Sequence, residues 1–74
     1  MAIKINERAT GLAIKQKCNE YGVTPKMLSE ALDISVTAPY LWFSGKAMPK
    51  TEHLLVLSRM LDCSIEDLLV TDEV

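Results

Sequence analysis

Lys26, Lys46 and Lys50 surround a short segment, residues 37–44, whose polar side chains are Thr37, Tyr40 and Ser44. Lysine ammonium groups suit phosphate oxygens, and phosphate and sugar take most of the hydrogen bonds that proteins make to DNA. The hydroxyls of Thr37 and Tyr40 can reach a base or a phosphate; equally, Thr37 can cap a helix and Tyr40 can simply be solvated. Catalysis finds less material. His53 is the only histidine and is expected on an exposed helix position. No serine or cysteine stands with an evident base and orienting partner. Ser44-Gly45-Lys46 looks superficially like a phosphate loop, but the upstream glycine spacing is missing. Cys18 and Cys63 lie 45 positions apart and match no zinc or redox motif. No enzymatic activity, metal or cofactor is expected.

The elements that must position these side chains are helices. A first helix from about Glu7 to Tyr21 places Ile14, Cys18 and Tyr21 at i, i+4, i+7, the spacing of one buried face. Gly11 weakens it locally, and Gly22 ends it as a left-handed cap. Thr24 caps a second helix with Pro25 at its first position. Leu28 and Leu32 form its inner face, and Ala31 is small enough for close packing. Asp33 then turns the chain, with Ile34 buried in the turn.

A third helix ends at Ser44 before Gly45. The fourth runs from about Thr51 to Leu61, with Leu54, Leu57, Ser58 and Leu61 on one face. Ser64 opens a fifth through an approximate capping box with Asp67, and Ile65, Leu68 and Leu69 point inward. Residues 1–6 form a short N-terminal arm, either extended or a strand pairing with a partner, and residues 71–74 a frayed tail. The whole of 1–74 is expected to be a single domain.

The second and third helices, about 24–32 and 38–44, have the spacing of a helix-turn-helix. Helix two packs across helix three, which then projects one face outward and can enter a major groove about 12 Å wide. The segment from Val23 to Leu69 resembles the Cro/C1-type (XRE) family of bacterial and phage DNA-binding proteins. The matching features are Gly22-Val23-Thr24, then Leu28, Glu30, Leu32, Ile34 and Ser35 through the turn. Trp42, Gly45-Lys46 and Pro49 follow, and then the closing pattern Leu54-Leu55, Leu57-Ser58 and Leu61-Asp62-Cys63-Ser64-Ile65-Glu66-Asp67-Leu68-Leu69. The resemblance covers roughly residues 8–70. It implies an all-α, five-helix lambda-repressor-like domain and a transcriptional regulator, repressor-like, that binds double-stranded DNA as a homodimer.

The departures fall where DNA would be read. The family usually has glutamine at the position of Pro25, and hydrogen-bonding or basic side chains where this chain has Val36, Ala38 and Leu41. Bidentate base reading needs Arg, Lys, Asn or Gln, and residues 37–44 contain none. Pro39 disfavours helix at the residue before it, so helix three is expected to start late, with Ala38 outside and Pro39 first. The candidate DNA-binding residues are Thr24, Lys26, Thr37, Ala38, Tyr40, Leu41, Ser44, Lys46 and Lys50. The outward Leu41 suits a thymine methyl or a protein surface, which leaves a second reading open. In it the same fold acts through a protein partner on the helix-three face, as an antirepressor, antitoxin or modulator.

Composition bounds both readings. With 49% hydrophobic and 24% charged residues the chain is globular rather than disordered. Net charge is −2, which on its face disfavours nucleic acid, but the charge is polarised. Residues 1–50 carry seven basic and four acidic side chains, net +3, and residues 51–74 one basic and six acidic, net −5. A basic face can therefore meet phosphates while an acidic back sets the total. The absence of a signal-like start, of a spanning apolar run and of a disulfide framework gives the expectation of a cytoplasmic protein without membrane contact.

Overall fold

The computed structural model describes residues 2–73. Met1 of the arm and Val74 of the tail lie outside the described residues. The chain begins with a strand, β1 (Ile3–Ile5), followed by α1 (Glu7–Tyr21), α2 (Pro25–Leu32), α3 (Thr37–Phe43), α4 (Thr51–Met60) and α5 (Ile65–Leu68), and closes with β2 (Thr71–Glu73).

The boundaries of α1 and α2 and the start of α5 have local causes. Asn6 caps α1 by accepting from the Ala9 amide at 3.0 Å, and Gly22 closes it at φ 68°. Thr24 accepts from the Met27 amide at 3.2 Å, with Pro25 just inside α2. Asp33 turns the chain at φ 54°, its amide donating to the Ser29 carbonyl. Ser64 and Asp67 form the reciprocal capping box of α5. These are the caps that residue type alone indicates.

Helix α3 differs from expectation. It starts at Thr37, so Ala38 lies inside it and Pro39 is its third residue. The first four amides of a helix have no partner within it, so a proline in that turn removes no hydrogen bond. The Ala38 amide meanwhile donates to the Ser35 carbonyl at 3.1 Å. Proline shortens nothing here.

The two chain ends also differ from expectation. Residues 71–73, read from the sequence as frayed, pair antiparallel with the arm, with Ile3 opposite Glu73 and Ile5 opposite Thr71. The arm's partner is thus the tail of the same chain. Behind the strands, the Asn6 amide donates to the Val70 carbonyl at 2.8 Å, and the Val70 amide donates to the buried Thr10 hydroxyl at 2.9 Å.

The core is built from Ile14, Cys18, Val23, Leu28, Trp42, Leu57, Leu61 and Leu68. Tyr21 and Ala31, expected inside, are exposed, while Leu32, Ile34, Ile65 and Leu69 are only half-buried. Gly11 has a role that helix propensity hides. A Cβ there would collide with the carbonyl oxygen of Trp42 and lie 3.0 Å from its carbonyl carbon and 3.2 Å from the Phe43 oxygen. The missing side chain lets the backbones of α1 and α3 touch, and that contact sets the height at which α3 sits.

Candidate nucleic-acid interface

Packing decides which face of α3 is available. Trp42 and Pro39 are buried, and the Trp42 ring lies 5.8 Å from that of His53. His53 is therefore half-buried against the core rather than on an exposed face. The opposite side carries Thr37, Tyr40, Leu41 and Ser44, all exposed. They stand at i, i+3, i+4 and i+7, one stripe of a single helix face. Tyr40 is 60% and Leu41 38% exposed, and Val36, just before the helix, 47%.

The nine candidate residues do not all join this stripe. Ala38 is half-buried and packs against the core, so its side chain is turned away from the outward face. Thr24 and Lys26 are exposed at the start of α2, with the Thr24 hydroxyl engaged as the cap. Lys46 is exposed in the loop after α3, its amide donating to the Leu41 carbonyl at 3.0 Å, which ties that loop to the end of the stripe. Lys50 stands further on, exposed at the N-cap of α4. The Ser44 hydroxyl donates to the Leu41 carbonyl at 3.1 Å, and the Thr37 amide donates to the Ser35 hydroxyl at 3.2 Å.

Along the chain, the charge that flanks the stripe is one-signed. Between Asp33 and Glu52 the chain contains no acidic residue, and its charged side chains there are Lys46 and Lys50. The acidic side chains of residues 62–73 belong to the loop before α5, to α5 itself and to β2. Among them Asp67 is held below the ordinary carboxylate range by the Ser64 backbone amide and hydroxyl that its capping box supplies. A net acidic chain thus carries only lysine charge between the α2–α3 turn and the first turn of α4.

Two residues escaped the sequence reading. Lys15 and Asn19, exposed on α1, line a concavity together with Pro25, Tyr40 and Ser44, so the second half of α1 borders the stripe. Their signal was the spacing itself. Positions 15 and 19 flank the inward Cys18 and fall at the edge of the face that packs toward α3. Among the described residues no group of His, Cys, Asp and Glu is placed to hold a metal ion, and no helix is long and apolar enough to cross a membrane.

The family model for the Cro/C1-type HTH DNA-binding domain matches residues 13–73. That match takes in most of α1, the α2–turn–α3 unit, α4, α5 and β2. No curated protein and no solved structure matches the chain.

Proposed function

The chain belongs to the Cro/C1-type helix-turn-helix DNA-binding domain family, and on that premise we propose that it is a transcriptional repressor that binds duplex DNA as a homodimer. The observation that carries the reading is the exposed stripe Thr37, Tyr40, Leu41 and Ser44, set in a stretch without acidic residues. In this reading α3 lies in the major groove. Lys26, Lys46 and Lys50 meet phosphates, Thr37, Tyr40 and Ser44 offer hydroxyls to bases or phosphates, and Leu41 faces thymine methyls. Without Arg, Lys, Asn or Gln on α3, affinity comes mainly from phosphates. Sequence preference then comes from few contacts and from the deformability of the site. Such a regulator works in the cytoplasm of a bacterial or phage-infected cell.

The test is fluorescence anisotropy on DNA from upstream of the chain's own gene, repeated across salt concentrations. Counterion release predicts that affinity falls by about a hundredfold or more between roughly 50 and 200 mM salt. Absence of binding at low salt refutes the proposal. In that case the exposed Val36, Tyr40 and Leu41 favour the second reading, a protein partner on the same face, and a stable complex with a neighbouring repressor is the result that reading requires.

A further inference from the structure

The concavity between α1, the start of α2 and the end of α3 has a volume of about 400 Å³. That lies within the range of small-molecule sites, roughly 300–1,000 Å³, and has room for a fused-ring system. Its walls include Cys18, Val23, Pro25 and Phe43, with Tyr40 at the side. Cys18 and Val23 belong to the buried core, so the floor is closed by packed side chains. The Tyr40 and Phe43 rings stand edge to face, with centroids 6.3 Å apart and planes at 78°. A third ring entering the cavity can meet both rings edge-on or offset, the geometries that aromatic pairs prefer.

The charge at this site is as simple as its shape. Lys15 is the only charged residue among those lining it. The Cys18 thiol, its pKa pushed by burial from the ordinary 9.0 up to about 11, is uncharged at neutral pH. We propose that this cavity binds a small planar aromatic carboxylate, its ring against Tyr40, Phe43 and Val23 and its carboxylate on the Lys15 ammonium. Tyr40 and Ser44 belong both to this cavity and to the outward stripe of α3. Ligand and DNA therefore share side chains, and occupation of one changes the affinity for the other by an equal factor.

The experiment is a titration of the 15N-labelled full chain followed by amide chemical shifts, with 1-naphthoate and its neutral methyl ester as probes. No DNA is present, so its outcome does not depend on the DNA-binding reading. Saturable shifts confined to the amides of residues 15–23 and 40–44, with half-saturation at about 1 mM, are expected. Asn19→Trp, at an exposed position on the rim, should fill the mouth and abolish the shifts for both probes, with circular dichroism confirming that the variant is folded. Lys15→Met should weaken 1-naphthoate by about threefold and leave the ester unchanged. Linear, scattered shifts, or binding that survives Asn19→Trp, overturn the site. Equal behaviour of the two probes in the wild type and in Lys15→Met overturns its preference for a carboxylate.

Discussion

Replacing Gly11 by alanine sets two effects of opposite sign against each other. Propensity favours the change by about 1 kcal/mol, because alanine is the best helix former and glycine among the worst. The packing opposes it. The new methyl falls on the main-chain oxygen of Trp42, with two further backbone atoms of α3 at 3.0 and 3.2 Å. None of these is the flexible end of a side chain, so relief requires α1 and α3 to move apart as units. Separation opens a gap beside Trp42 and Ile14, both part of the core. Overpacking of this kind costs typically about 1–3 kcal/mol and occasionally more. Contact with rigid backbone on three atoms places this site at the top of that range, at a net loss of about 2 kcal/mol.

A chain of this size has roughly 4–11 kcal/mol in total. At about 4–8 °C per kcal/mol, the melting temperature should drop by roughly 8–16 °C. Thermal and urea unfolding followed by the fluorescence of Trp42, the only tryptophan, measures this directly. Gly22→Ala is the matched control. Its φ of 68° is strained for alanine, but no atom lies within 4 Å, so only the left-handed penalty of about 1–2 kcal/mol applies. If Gly11→Ala proved as stable as the wild type, the close approach of α1 and α3 would not be what holds α3 in place.

Three other changes probe other parts of the molecule. Lys46→Glu with Lys50→Glu should abolish DNA binding at moderate salt while leaving helicity intact by circular dichroism; each lost phosphate contact removes about 1 from the salt slope. Persistence of binding in that double variant would put the phosphate face elsewhere. For Cys18, the unfolded thiol ionises near its ordinary 9.0 and the folded one near 11. Stability is then complete below pH 9 and lost between 9 and 11, by about 3 kcal/mol in all; urea midpoints across that interval should fall, and Cys18→Ala should flatten the slope. The carboxyl of Asp67 has the reverse sign. Its folded pKa is lowered by the capping box, so it stabilises above the ordinary value of 3.8 and that stability is lost as pH falls through the folded value. Asp67→Asn should melt below the wild type at neutral pH, and the difference should close under acid; a constant difference down to pH 2 would exclude the ionised cap as its source.

Much of the fold was legible because helix ends are written in single residues. Thr24-Pro25, Gly22, Asp33 and Ser64 with Asp67 each satisfy or redirect a particular backbone group, and the structure puts each where its type requires. What stayed hidden depended on distance in the chain. No local pattern shows that Ile3 will meet Glu73, or that Gly11 is glycine because of Trp42 rather than in spite of α1. Pro39 misled because its bias against helix at the preceding residue is a preference and not a bar: Ala38 is helical all the same, in a first turn where proline has no hydrogen bond to remove. The outward stripe was visible in part. Tyr40 and Leu41 follow from Trp42 facing inward, but Ala38 lies on the inner side of that helix, and Lys15 and Asn19 join the surface only through the crossing of α1 over α3.

The pairing of β1 with β2 also decides how the molecule bears load. In this register the outermost paired residues, Ile3 and Glu73, are opposite each other at the end of the ladder where the two strands lead out. Tension applied at the ends therefore strains the cross-strand bonds one after another, as in peeling tape, instead of shearing them together. The strands part at low force, then the Asn6 and Thr10 links to Val70, and only afterwards does any pull reach α1. Pulling on the two strands therefore opens the clasp before it strains α2 and α3.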